Sequence, residues 1–297
     1  MLGVKKISHV CYETTDLERS LDYHSAILGL TDVGREDGKA FLTSTIDQHS
    51  VILQVGTAAK CSGLAFQIGP DEDLGEMARQ VEASGVSVER ESDAQPGVAE
   101  LIAFHDPNGT RIEVFNPPPA SSVRLKEQGI VPNKLGHVAF HSLDAERITD
   151  FYCDVLGFRV SDWLERRFSF LRCGRDHHTV NFIGSETIRH DHSAFELRDW
   201  SHIQQACDYL SRNNYRLIWG PGRHGIGHNL FIYHKNPDGL IVELYAELDT
   251  MSDEALGYFD PKPWHPDSPQ FPKTWEMTPR LVNLWQEGFP PEEMLKV

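Results

Sequence analysis

Three residues in the second half of the chain could share one metal ion: His137, His192 and Glu243. Each interrupts a strand-like apolar run, where an inward polar group is costly unless it is paired or bound to a metal. Glu243 shows this most clearly. Val242 and Leu244 flank it, and the two-residue strand period places it on one face with Ile241 and Tyr245. Two histidines and one carboxylate form a facial triad, which leaves three adjacent positions open on a ferrous ion. Those positions suit a bidentate substrate plus dioxygen; the same ligands also accept Zn(II) or Mn(II).

The element that must position Glu243 is a hairpin. Residues 220–245 read as a glycine-rich loop, a strand ending near Tyr233, a turn and a second strand. In the turn Asn236-Pro237-Asp238-Gly239, proline presets one φ angle and glycine supplies a positive one. Tyr233 and Glu243 then lie on neighbouring strands, in a register the sequence leaves open.

The surrounding elements occur twice. Ile7-Ser8-His9-Val10 returns as Leu135-Gly136-His137-Val138, and Leu28-Gly29-Leu30 as Leu156-Gly157-Phe158, both at an offset of 128. Gly63–Gln67 returns as His192–Glu196 at 129, and Asp106–Glu113 as Asn236–Glu243 at 130. Each half reads strand–helix–strand–strand–strand, twice over, with its second helix at 74–83 or 203–210. The helix around Ile148, Phe151, Tyr152, Val155 and Leu156 has an apolar stripe that Gly157 closes. At the triad-equivalent positions the first half has His9, Gly63 and Glu113. Without the middle histidine, that half is expected to be a scaffold without metal, and His9, His49 and Glu113 relics of duplication.

The expected fold class is therefore α+β with two homologous domains, 1–118 and 135–248, joined by a linker at 119–134. Residues 249–297 hold eight of the 17 prolines and three of the six tryptophans, a composition that predicts an arm or lid wrapped over the body. A formal charge of −16 argues against nucleic acid or an anionic membrane as partner. No apolar run reaches membrane-spanning length, and the start of the chain does not read as a signal peptide. Five cysteines without C-x-x-C spacing predict reduced, mostly buried thiols in a cytoplasmic protein, expected as a homo-oligomer.

Several segments together resemble the type I extradiol catechol dioxygenases of the vicinal oxygen chelate superfamily. They are Gly136-His137-Val138, Arg175-Asp176-His177-His178-Thr179, His190-Asp191-His192-Ser193-Ala194-Phe195, Gly220-Pro221-Gly222-Arg223-His224-Gly225, Pro237-Asp238-Gly239 and Glu243-Leu244-Tyr245. The resemblance spans about residues 5–248. It implies paired βαβββ modules curled into an open, funnel-like barrel in each domain. It also implies Fe(II), or Mn(II), held by His137, His192 and Glu243, with O2 as co-substrate and a catechol as substrate.

By position, the resemblance implies that His178, 14 residues before His192, is the acid/base histidine. Strand alternation would put its neighbour His177 on the opposite face. His224 matches a histidine facing substrate and dioxygen, and Tyr233 a tyrosine that hydrogen-bonds a catechol oxygen. An imidazole suits proton transfer near neutral pH. His228 and His234 match no role and are expected at the surface or in a loop. Members acting on carboxylated catechols tend to carry arginine where this chain has Trp219, which points to an apolar alkyl- or aryl-substituted catechol. Arg280 is the remaining candidate cation, and Trp200 with the tail tryptophans either walls the pocket or anchors the arm.

Fold alone does not fix function. A glyoxalase-type isomerase or epimerase on this scaffold needs a fourth ligand or another base, and a non-catalytic binding protein needs no complete triad.

Overall fold

The structure, a computed structural model, describes residues 2–46, 49–118, 125, 128–286 and 288–295; half of the expected linker lies outside them. The first half runs β1 (Lys6–Thr14), α1 (Leu17–Asp22), a π-helical turn (Tyr23–Ile27), β2 (Thr31–Glu36), β3 (Lys39–Thr43) and β4 (Val51–Val55). It continues through β5 (Lys60–Gln67), α2 (Leu74–Ala83), β6 (Glu89–Gln95), β7 (Val98–His105) and β8 (Arg111–Phe115). The second half repeats the order: β9 (Lys134–Ser142), α3 (Ala145–Leu156), β10 (Arg159–Leu164), β11 (Phe168–Arg172) and β12 (Val180–Gly184). Then follow β13 (Arg189–Glu196), α4 (Trp200–Arg212), β14 (Leu217–Arg223), β15 (Leu230–Lys235) and β16 (Ile241–Ala246). The arm adds β17 (Lys273–Trp275), α5 (Pro279–Val282) and α6 (Glu292–Leu295).

Each half forms one mixed, curled sheet. The strand orders are β2-β3-β4-β1-β5-β8-β7-β6 and β14-β15-β16-β13-β9-β12-β11-β10-β17. The helices form where sequence supplies both cap and stripe. Asp144 accepts from the backbone N–H of Arg147 at the start of α3, Gly157 ends it at φ 73°, and Ile148, Tyr152, Val155 and Leu156 are buried. Asp199 caps α4 in the same way, and Ile203, Ala206 and Leu210 turn inward. One large apolar core runs through both halves. Polar contacts also cross the seam: Tyr12 donates to Ser193 Oγ at 2.6 Å, and Tyr152 to Asp106 Oδ2 at 3.1 Å.

The arm is not free. β17 adds in parallel to the edge strand β10, Arg172 donates to Glu254 at 2.8 Å, and Arg223 stacks over Trp264 with its Cζ 4.1 Å from the ring centroid. No described helix is long and apolar enough to cross a membrane. All five cysteines are free; Cys173 is buried and the other four are half-buried.

Candidate metal centre and its pocket

Sheet register brings the predicted ligands together. His137 on β9 pairs with Ala194 on β13, Ala194 with Glu243 on β16, and Glu243 with Tyr233 on β15. The hairpin register left open by the sequence thus sets Tyr233 directly opposite Glu243. Neighbouring strands lie about 4.8 Å apart, so His137 and Glu243 reach toward each other over a methyl group. His192 stands two residues from Ala194, on the same strand. The ladder shifts between His190 and His192, a bulge that re-aims this stretch.

The ligand atoms form a small triangle. His137 Nε2 and His192 Nε2 each lie 3.1 Å from Glu243 Oε2, and 3.4 Å from one another. Metal–ligand bonds of about 2.1–2.2 Å at right angles put donor atoms about 3.0–3.1 Å apart, close to the spacing seen here. All three side chains are buried, Glu243 to 1 % exposure. Glu243 Oε1 accepts from Asn229 Nδ2 at 2.8 Å, which leaves Oε2 for the centre. Asp191 holds His192 Nδ1 at 2.6 Å and His141 Nε2 at 2.7 Å, orienting the His192 ring with Nε2 inward.

Electrostatics favour a cation at this point. Burial works against a charged His192, yet Asp191 and Glu243 outweigh it and raise its pKa to about 9. Burial opposes the Glu243 carboxylate as well, but His137 and His192 hold its pKa well below the usual range. His137 is lowered, chiefly by burial. Two carboxylates thus converge on His192, and the centre gathers positive charge around Glu243. A divalent ion would supply that charge without protons, so the donor set fits one.

His224 and Tyr233 meet across the loop after β14, with His224 Nε2 3.1 Å from the Tyr233 hydroxyl. His224 Nδ1 lies 2.8 Å from the carbonyl of Val282, so it donates there and leaves Nε2 to accept from the tyrosine. The arm therefore orients a histidine of the pocket. Phe231 stacks on the same ring at 3.9 Å and 14°. Burial lowers the pKa of His224 to about 4 and raises that of Tyr233 well above its ordinary value.

His178 packs against His137, ring centroids 4.3 Å apart. Burial, then the neighbouring histidines, push its pKa well down. Strand alternation misplaced His177. Both residues precede β12, so the two-residue period does not govern them; both are buried, with their Nδ1 atoms 2.9 Å apart. Two other histidines also depart from expectation. His228 is buried with Nδ1 2.7 Å from Asp249 Oδ2, and His234 with Nε2 2.6 Å from the Tyr23 hydroxyl. A hydrogen-bonding partner from another segment makes each burial tolerable. Asp191, Asn229, His141 and Asp162 were not anticipated. The run His190-Asp191-His192, three polar residues in a strand, was the one signal for any of them.

These side chains face a cavity of about 390 Å³. Beyond His137, His178, His192, His224, Tyr233 and Glu243, its walls are mainly apolar, with Phe168, Phe170, Trp219 and Ile226 among them. Met277, Leu281, Val282, Phe289, Pro290 and Met294 come from the arm. Among the described lining residues there is no lysine or arginine, so Arg280 is not part of the wall. The tail tryptophans anchor instead: Trp285 meets Trp200 edge-on at 5.4 Å, and Trp275 packs against Leu164, Phe170 and Ile226.

A family profile described as the Glyoxalase/Bleomycin resistance protein/Dioxygenase superfamily matches residues 6–114 and 134–244. The manganese-dependent 2,3-dihydroxybiphenyl 1,2-dioxygenase of Geobacillus genomosp. 3 is 28% identical over 82% of this chain and 85% of its own. An iron-dependent extradiol dioxygenase of Rhodococcus jostii (strain RHA1) is 24% identical over 86% of this chain and 93% of its own. Among solved structures, the Mn(II)-bound glyoxalase from Novosphingobium aromaticivorans superposes with a TM-score of 0.86. It shares 25% identity and covers 99% of this chain and 94% of its own.

Proposed function

Because the chain belongs to the Glyoxalase/Bleomycin resistance protein/Dioxygenase superfamily, we propose that it is an extradiol ring-cleaving dioxygenase acting on an apolar alkyl- or aryl-substituted catechol. The observation that carries this reading is the triangle of His137, His192 and Glu243 opening into an apolar cavity that also holds His178, His224 and Tyr233. In this reading residues 135–248 are the catalytic domain, 1–118 its scaffold and 249–297 a lid. The protein is a cytoplasmic homo-oligomer without nucleic acid or membrane partners.

His137, His192 and Glu243 would hold Fe(II) or Mn(II), which when bound brings the diol and O2 together and stabilises developing charge. The remaining steps belong to the chain. Tyr233 orients a catechol oxygen while His224 fixes the direction of the tyrosine hydroxyl. His178 takes a proton from the second hydroxyl and later returns it as the ring opens. The aromatic wall and the arm exclude water and clasp the substituent. Among the described wall residues no lysine or arginine is available to pair with a carboxylated catechol.

The test is oxygen uptake by anaerobically purified protein, loaded with Fe(II) or Mn(II) and offered apolar and carboxylated catechols. One O2 consumed per catechol, with a yellow ring-opened product and preference for apolar substrates, is the expected result. No uptake by folded, metal-loaded protein with any catechol would refute it. The likeness to the Novosphingobium glyoxalase makes isomerase or epimerase activity the alternative outcome, although the centre gathers three ligands where that reading needs a fourth or a different base.

A further inference from the structure

Behind His178 the structure holds a chain of buried groups that the proposed reaction does not use. His178 Nδ1 lies 2.9 Å from His177 Nδ1, and His177 Nε2 lies 2.8 Å from Asp162 Oδ2. Asp162 Oδ1 accepts from the backbone N–H of Lys273 at 2.7 Å, where β17 of the arm joins the edge of β10. Asp162 and His177 are 2 % and 0 % exposed, and neither lines the cavity.

We infer that Asp162 and His177 are positioning residues that fix the tautomer of His178, so that its Nε2 meets the cavity as a bare lone pair. A carboxylate only accepts, so the proton of a neutral His177 sits on Nε2, toward Asp162. Its Nδ1 is then an acceptor, and the proton between the two rings belongs to His178 Nδ1. Nε2 of His178, the other ring nitrogen of a residue that lines the cavity, is left without a proton. That is the form a base must have before it can take one. The logic is that of a carboxylate setting the tautomer of a catalytic histidine, with one more imidazole interposed.

The surroundings hold this geometry. Phe170 meets both rings edge-on, at 5.8 Å and 5.4 Å, and Phe259 lies against His177 at 4.9 Å. The backbone N–H of His177 donates to Asp249 O at 2.8 Å. Gly227, at φ +72°, lies close beside the contact between the rings: a Cβ there would come within 3.2 Å of His177 Nδ1 and 3.3 Å of His178 Cε1. Besides walling the cavity, the arm thus reaches two of its histidines, His224 through Val282 and His178 through Lys273 and Asp162.

The inference rests on reading His178 as the proton acceptor, but its first test does not involve turnover. In full-length protein loaded with diamagnetic Zn(II) and labelled with ¹⁵N-histidine, long-range ¹H–¹⁵N correlations identify each ring's tautomer. His178 is expected as the Nδ1–H form. His177→Phe should shift it to Nε2–H or a mixture. His177→Gln, whose amide can donate to Asp162 and accept from His178, should preserve it. On the iron-loaded enzyme His177→Phe should lower kcat by about 10- to 100-fold, within the range of general acid–base effects, leaving KM and metal content within about twofold. His177→Gln should recover most of that loss. If His177→Phe does not fold, Asp162→Asn supplies the same tautomer measurement. A proton found on Nε2 of His178 in the unaltered protein overturns the inference, as does a tautomer indifferent to His177→Phe and to Asp162→Asn. The expected tautomer in a protein that cleaves no catechol would instead overturn the dioxygenase reading.

Discussion

The same row of positions crosses both sheets, and each row gathers three side chains that could hold a metal ion: His137, His192 and Glu243 in the second half, His9, Cys11 and Glu113 in the first. In the second half the row is His137, Ala194, Glu243 and Tyr233, with His192 two residues along from Ala194. In the first half it is His9, Ala65, Glu113 and Ala103, with Gly63 two residues along from Ala65. The frame is shared down to the alanine in the middle. The difference lies in what occupies the carboxylate. Glu113 Oε2 accepts from Gln95 Nε2 at 2.5 Å, and Oε1 from Arg111 Nε at 3.1 Å. His9 is left 3.6 Å away, and Cys11 nearby is held as a thiol by burial and then by the charge of Glu113. Glu243 has one oxygen held by Asn229 and the other facing two imidazoles. Protein hydrogen bonds take up both oxygens of the carboxylate in the first half and only one in the second.

That contrast can be broken in both directions, and here the largest effect is expected. His192→Gly makes the second row copy the first. Metal content should fall from about one ion per chain toward none, and oxygen uptake by more than the 10- to 100-fold that removing an outer-shell partner costs. Asp191→Asn, which leaves the ligands and weakens their orientation, should fall inside that range. The converse change, Gly63→His, should add no second ion. Its Cβ would meet the carbonyl oxygen of Arg111 at 2.9 Å, and Gln95 and Arg111 still hold Glu113. Elemental analysis beside oxygen uptake decides both. Two ions per chain in the unaltered protein, or in Gly63→His, would show that the first row is not closed.

The arm sharpens the comparison by a different route, because only the second half has one. Ending the chain at Glu276 removes the six arm residues that wall the cavity and the Val282 carbonyl that orients His224. The three ligands stay in place. The expected result is full metal content with kcat/KM for an aryl-substituted catechol lowered by about 100-fold, as orientation and water exclusion are lost. Unsubstituted catechol, which has no substituent for the arm to clasp, should suffer less. Equal loss for both would mean that the arm acts on the chemistry alone.

How far the sequence reached follows from which signals are local. Doubled strand–helix–strand–strand–strand order was legible because periodicity, caps and the duplicated turn all lie within short windows. His137, His192 and Glu243 were legible because each breaks an apolar strand and because the first half offers a control lacking the middle residue. His177 was misplaced because it sits just before β12, where strand alternation does not yet apply. His228 and His234 were misplaced because Asp249 and Tyr23, the partners that permit their burial, lie on other segments. The arm's composition announced an ordered segment. That its tryptophans clamp Arg223 and Trp200, leaving the cavity wall to Met277, Leu281 and Phe289, depends on packing no local pattern encodes.

The smallest expected effect concerns the seam that joins the two halves. His24, in the π-helical turn of the first half, and His234, on β15 of the second, are both wholly buried. Burial lowers their pKa values to about 4 and about 3. His234 accepts from Tyr23 across the seam, and charging it would place a cation where no carboxylate answers it. An unfolded histidine titrates near 6.5, so between pH 6.5 and the lowered values the unfolded chain binds the protons and the folded one does not. Stability is therefore whole above about pH 7 and declines as pH falls, by on the order of 2 kcal/mol per such group at pH 5. His190 and His224, at about 3 and about 4, add to the same trend. Urea unfolding at pH 7, 6 and 5 should show the midpoint dropping at each step. His234→Phe should begin lower, having lost Tyr23's partner, yet change less with pH. A variant with the same slope as the unaltered protein would show that His234 is not what titrates, and would leave the pH dependence to His24, His190 and His224.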